Sequence, residues 1–266
     1  MKKILLAFLL LIGVNVYAND DALWEKSTLN QIIKRGELIV GTEPGYMPLE
    51  MKNKRGEIIG FDIDIARAMA DAMGVKLKIV PTDFDGLVTS LMTKKFDVVL
   101  AGMTITPERN LKVNFSKPYI QIGQTFLVNK RHANKKWQDL DKPEFTVVTK
   151  IGVTGEFVAK RVFKNAKVKT FQTEAEAIQE VLNGNADVWI YDKPYNVVYM
   201  AEKGKDLLVH LDQDLTSEAV GIGFRKGDPD FENWINNFLN QIQNDGTYEK
   251  IYDKWFKDTK WFSQVM

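Results

Sequence analysis

Apolar and polar positions along the chain fall into short extended runs separated by stretches of helical period. Residues 20–34 carry Leu23, Leu29, Ile32 and Ile33 at helical spacing, and Gly36 closes the stretch. Residues 37–42 read as a strand, with Glu43-Pro44-Gly45-Tyr46-Met47-Pro48 as a turn-rich loop at its carboxyl end. After a turn at residues 53–56, Ile58 and Ile59 lead into a helix. Its apolar face is Ile65, Met69 and Met73, its cap Asp62 and its end Gly74. Residues 76–80 are a second strand, 83–94 a helix, and Val98, Val99 and Leu100 a third, buried strand. Such alternation predicts a parallel sheet with helices on both faces. Ligands of open α/β sheets bind outside the carboxyl ends of strands, so Glu43 and Tyr46 belong near any site.

Residues 120–129 form one long extended run that should leave this first lobe. A second series of strands (145–149, 168–171, 187–191) and helices (155–164, 174–182) follows. Residues 219–224 are a second extended run leading back, and two helical stretches, 230–245 and 248–256, end the chain. The pattern predicts lobe 1 from residues 19–122 and 221–266 and lobe 2 from 123–220. Two crossings between lobes make a hinge, which absorbs a closing motion.

Composition narrows the picture. Lys2 and Lys3, an apolar run over 4–16 and Val16-Tyr17-Ala18 predict a cleaved secretory signal peptide over residues 1–18. The chain has no Cys, which removes disulfide, thiol and lipid-anchored-cysteine chemistry. With 36 basic and 35 acidic residues and no basic run, it is a poor ligand for nucleic acid. There is no G-x-S-x-G elbow, phosphate-binding glycine loop or H-E-x-x-H pair. The two histidines, His132 and His210, fall in segments read as surface, without Cys partners, so neither metal nor cofactor is expected. Asp62 and Asp64 read as a cap and a first-turn carboxylate rather than a cation site.

The chemistry concentrates after the third strand. The chain breaks at Ala101-Gly102, and Thr106-Pro107-Glu108 is a helix start, with Thr as cap and Pro at the first helical position. Thr104, Thr106 and Arg109 come to one rim. A guanidinium beside free amides receives a carboxylate through two parallel charge-assisted bonds. Spacing alone equally allows Arg109 to be a surface residue of an ordinary helix start.

The run Gly102-Met103-Thr104-Ile105-Thr106-Pro107-Glu108-Arg109, followed by Val113-Asn114-Phe115-Ser116-Lys117-Pro118-Tyr119, resembles the signature of bacterial periplasmic polar amino-acid-binding proteins of ABC importers, the extracellular solute-binding family 3. Gly60-Phe61-Asp62-Ile63-Asp64, Gly152-Val153-Thr154-Gly155-Glu156 and Ala186-Asp187-Val188-Trp189-Ile190-Tyr191-Asp192 match the same family in order and spacing, over about residues 38–256. The resemblance implies a two-lobed type II periplasmic-binding-protein fold, α/β, with two mixed, mainly parallel sheets joined by a two-stranded hinge. It further implies a monomeric, non-catalytic receptor in the periplasm. Such a receptor hands a free L-amino acid to a membrane permease.

An amino acid needs a cationic fork and amides for its carboxylate and an anion for its ammonium. The resemblance assigns the carboxylate to Arg109 and the amides of Thr104 and Thr154. It assigns the ammonium to Asp192, helped by the Gly102 carbonyl and the Thr104 hydroxyl. Asp192 could instead cap the next helix. Tyr46 and Phe84 would be opposite walls, and Met103 part of the turn. Glu43, Lys150 and Tyr191 would meet the ligand side chain. Glu43 offers acceptors and Lys150 donors, so a carboxamide satisfies both and glutamine is the first expectation; should Lys150 point outward, Glu43 favours a basic amino acid. Val153 stands where the family commonly has Thr, which leaves the Thr154 amide unaffected. The alternative is a cyclohexadienyl or arogenate dehydratase, which shares this scaffold, with Glu156 as general acid.

Overall fold

The computed structural model describes residues 26–204 and 206–265; the expected leader and the first residues of the 20–34 stretch lie outside them. The strands of the first half are β1 (Glu37–Thr42), β2 (Gly45–Tyr46), β3 (Glu50–Lys52), β4 (Ile58–Ile59), β5 (Lys76–Pro81), β6 (Val98–Val99), β7 (Asn114–Phe115) and β8 (Ile120–Ile122). Those of the second half are β9 (Gln124–Asn129), β10 (Thr146–Lys150), β11 (Lys167–Phe171), β12 (Val188–Asp192), β13 (Leu208–Leu211), β14 (Glu218–Val220) and β15 (Gly223–Phe224).

Two five-stranded sheets result, ordered β5-β1-β6-β15-β7 and β11-β10-β12-β9-β13. In each, three strands run parallel, and an antiparallel strand brought in by a crossing lies beside them. The central strands are apolar on both faces because helices cover both sides. Val40, Val98 and Val99 are fully buried in the first sheet, Val147, Val148, Val188 and Ile190 in the second. The two sheets with their helices are the two-lobed α/β fold expected from the sequence.

The long crossings differ from expectation. Residues 120–129 are not one strand but two, β8 and β9, and residues 219–224 divide into β14 and β15. β8 and β14 pair antiparallel as a ribbon of their own, with Val220 opposite Ile120. Each crossing must pair there and then turn into a different sheet. Gly123 makes one of those turns, and a Cβ on it would sit 2.8 Å from the Thr216 carbonyl oxygen.

Three further expectations change. The helix Phe61–Met73 is preceded by Gly60, so Asp62 is not its cap; it lies inside the first turn, fully buried. Both histidines are internal rather than superficial. His132 is buried, its Nε2 2.8 Å from Asp187 Oδ1, and half-buried His210 meets the Thr125 hydroxyl at 2.9 Å. Among the described residues no three His, Cys, Asp or Glu converge as a metal site, and no helix is long and apolar enough to cross a membrane.

Candidate functional site

Every predicted site residue but Arg109, which sits on a short helix farther on, lies at or just past the carboxyl end of a strand. Glu43 and Tyr46 follow β1, Phe84 follows β5, the Gly102–Thr104 turn follows β6, Thr154 follows β10, and Asp192 ends β12. The two sheets point these ends at each other. Tyr46, Phe84, Gly102, Thr104, Arg109, Thr154, Tyr191 and Asp192, with Val153, line one small cavity between them. Glu43, Met103 and Lys150 do not line it. Met103 is buried in the core, its carbonyl accepting from the Gly221 amide at 3.2 Å.

Arg109 is aimed by a short helix, Pro107–Asn110, whose cap is as the sequence predicts: the Thr106 hydroxyl accepts from the Arg109 amide at 3.2 Å. The residue is half-buried but its guanidinium is enclosed. It donates to the Thr104 carbonyl at 2.7 Å and, across the cleft, to the Gly152 carbonyl at 3.0 Å, and lies 5.3 Å from the centre of the Phe84 ring. Burial pushes its pKa down to about 10, with Glu218 and Asp192 opposing, so it stays charged at neutral pH. Thr154 opens the helix Thr154–Val162, whose first amides and dipole favour an anion.

Asp192 stands before the helix Lys193–Tyr199, but its side chain caps nothing. Its carboxylate instead accepts from the Tyr46 hydroxyl across the cleft and from Gln124 Nε2. Burial raises its pKa to about 7, opposed by the Tyr46 bond, with Glu218 adding to the rise. A buried carboxylate in that condition gains from a cation. Arg109 from one lobe and Asp192 from the other thus share the walls of one cavity, as gripping both ends of a zwitterion requires.

Gly102 takes a left-handed φ of +55°, and a Cβ on it would come 2.4 Å from the Tyr46 ring. Only glycine lets that ring come so close to the turn. The enclosed free space is about 10 Å³, no more than one water needs, and the polar groups satisfy one another across it. A ligand therefore enters only when the lobes part.

Lys150 departs most from the sequence expectation. It is almost fully buried, and its ammonium donates across the cleft to Glu43 at 2.6 Å and within its own lobe to Glu174 at 2.9 Å. Glu174 also accepts from the Tyr191 hydroxyl at 2.6 Å. Two of the three donors of the Lys150 ammonium are thus already taken by carboxylates, which weakens the premise behind a carboxamide ligand. Two carboxyls meet one ammonium behind the aromatic wall. Burial, then the charge of Glu174, raises Glu43 to about 7 despite Lys150. Burial alone would lower Lys150, but the two carboxylates raise it.

Three polar residues escaped sequence reasoning. Gln124 donates to Asp192, Glu174 receives Lys150, and Glu218 on β14 accepts from the Thr104 hydroxyl at 2.9 Å. Glu174 carries no local signal, since it looks like any first-turn glutamate of an amphipathic helix. Glu156, the candidate general acid, lies outside the cavity lining. Its carboxylate accepts from the Gly152 amide at 2.9 Å and from Lys160 at 2.5 Å.

The model of the bacterial extracellular solute-binding proteins, family 3, matches residues 38–258 of the chain. A crystal structure of an ABC-transporter binding component from Wolinella succinogenes DSM 1740, complexed with lysine, is similar at 60% identity. The match covers 86% of this chain and 100% of that one, with a TM-score of 0.84. An ancestral amino-acid-binding protein described as a precursor of cyclohexadienyl dehydratase is 48% identical, covers 86% of this chain and 100% of its own, and has a TM-score of 0.82. The arginine-binding periplasmic protein of Mannheimia haemolytica is 34% identical over 82% of this chain and 90% of its own length. With the fold, the facing strand ends and this match over most of its length, the chain belongs to the bacterial extracellular solute-binding proteins, family 3, the amino-acid-binding receptors of ABC importers.

Proposed function

We propose that this protein is a monomeric periplasmic receptor whose ligand is a cationic amino acid, L-lysine first, held between lobe 1 (residues 19–122 and 221–266) and lobe 2 (123–220) and passed to its importer's permease. One observation carries the choice of side chain: Glu43 and Glu174 converge on a single ammonium, that of Lys150. That end of the cleft has more acid than base, and a second cation there relieves the excess. A neutral carboxamide does not, although it remains the natural competitor. The similar structure complexed with lysine supports the same choice.

Arg109 and the amides of Thr104 and Thr154 take the ligand carboxylate, and Asp192 takes the ammonium, displacing the Tyr46 hydroxyl. The receptor does no chemistry on its ligand: Glu156, the group a dehydratase reading would use, is tied to Lys160 and the Gly152 amide. A thermal-shift screen tests the ligand, because one present at a hundred times its Kd adds about 2.7 kcal/mol. L-lysine and L-arginine should give the largest shifts; a larger shift with L-glutamine would return the choice to the carboxamide. Phenylpyruvate or phenylalanine appearing from prephenate or arogenate would overturn the non-catalytic reading.

A further inference from the structure

The candidate site leaves one buried acidic group unused. Asp62 is fully buried inside the first turn of its helix and forms no ion pair among the described residues. A carboxylate there is costly unless hydrogen bonds satisfy it. Its Oδ2 accepts the Gly102 amide at 2.8 Å, and the Tyr119 hydroxyl donates to the same carboxylate at 2.8 Å. Gly102 is the turn against which Tyr46 packs. Tyr119 immediately precedes β8, and its amide donates to the Val220 carbonyl of β14 at 3.0 Å. A single side chain therefore ties the turn in the cleft to the root of the hinge.

Behind Asp62 lies Glu50, on the ribbon that also carries Tyr46; the two residues are opposite each other in the β2–β3 register. Glu50 is likewise fully buried, and neither of its oxygens has a hydrogen-bond partner among the described residues. The Asp62 amide donates to the carbonyl of Leu49, the residue before Glu50, at 2.9 Å, so β3 runs against the first turn of the helix, and Glu50 acts on the ionisation of Asp62 as a hydrogen-bonding neighbour does. Two buried carboxyls face to face are satisfied when one proton lies between them and not when both are ionised.

We propose that Asp62 is a positioning residue for ligand binding, and that Asp62 and Glu50 share one buried proton that keeps the Gly102–Thr104 turn aimed into the cleft. The idea rests on the binding role given to that turn above. The surroundings favour the shared proton. Tyr46, Tyr119 and Tyr248 approach as neutral phenols, Glu43 and Glu174 add negative charge, and the cation acting on Glu50, Lys150, is already held by those two acids. Burial raises Asp62 to about 7, and burial with the charge of Asp62 raises Glu50 further above its ordinary value. The sign follows: the folded state keeps a proton that the unfolded chain loses above its usual carboxyl pKa, so stability falls as pH rises from about 4.5 toward the folded values. Once the pair ionises fully, repulsion loosens the turn.

The test joins a carbon-13 titration of the side-chain carboxyls to calorimetry with L-lysine, L-arginine and L-glutamine. Glu50 should stay protonated at pH 7, and Asp62 should titrate at a different pH in Glu50→Gln. Asp62→Asn should weaken the best-bound amino acid about tenfold or more. Wild type should lose affinity at alkaline pH more steeply than Glu50→Gln, whose amide keeps a donor facing Asp62. Both carboxyls ionised at pH 7, or identical alkaline limbs in the two proteins, would overturn the proposal. Should Asp62→Asn not fold, the titration and the Glu50→Gln profile still decide it. Should none of the three amino acids bind wild type, the receptor reading fails while the carboxyl titration still decides the shared proton.

Discussion

Arg109 lines the cleft as its cationic wall, and in the proposed site its worth to a ligand would come from enclosure. Its guanidinium already spends donors on the Thr104 and Gly152 carbonyls, which fix its plane, and the Phe84 face lies against it. Arg109→Ala removes charge-assisted bonds worth about 1.5–3 kcal/mol each, so amino-acid affinity should fall by about two decades or more in calorimetry. Unchanged binding would remove Arg109 from the site. Asp192 should respond to pH in the opposite sense to the buried Glu50–Asp62 pair. Burial raises its pKa to about 7, and a ligand ammonium favours the ionised form. Binding should therefore strengthen as pH rises from about 5 to about 7, with release of a proton. Calorimetry in two buffers of different ionisation enthalpy measures that release, and it should vanish in Asp192→Asn if any binding remains.

At the scale of elements, the strand-end turns do the positioning. The helix Pro107–Asn110 is too short to hold itself, so its Thr106 cap matters more than its propensity. Thr106→Ala should cost about 1 kcal/mol of stability, and a lower Tm with weakened ligand binding would show that the cap aims Arg109. The Gly102 turn offers a sharper test. An alanine there is strained by the left-handed φ and would drive into the Tyr46 ring. Gly102→Ala should abolish measurable binding while the far-ultraviolet circular dichroism stays that of the wild type.

At the scale of the whole molecule, the two lobes hold each other through the same polar groups that would receive a ligand. Tyr46 with Asp192, Lys150 with Glu43, and Arg109 with the Gly152 carbonyl all cross the cleft. Each such contact favours closure, and each must open for entry. Tyr46→Phe removes one without changing shape, so the unliganded protein should shift toward the open form. Small-angle scattering should then report a larger radius of gyration than wild type in the absence of ligand, and equal radii with saturating L-lysine. The two crossings between the lobes pair as the β8–β14 ribbon, a short antiparallel pair that belongs to neither five-stranded sheet.

Local order in the chain determined a good deal on its own. Alternating strands and helices, the Thr106-Pro107-Glu108 start, glycines at helix ends and two extended crossings follow from period, capping and backbone sterics, which act over a few residues. They were enough to place the parallel strands of both sheets and to put Tyr46 and Asp192 at strand ends, with Arg109 on the helix start beyond a third. Tertiary structure alone decided who meets whom across the cleft. Glu174 is 24 residues from Lys150 in sequence and Glu43 is 107, and nothing near any of them signals that the three form one cluster. Asp62 reads locally as a helix cap, yet burial against Gly102 and Tyr119 gives it another task. The physical reason is the same in each case: a charge's partner and its cost depend on desolvation by distant segments, which no local spacing records.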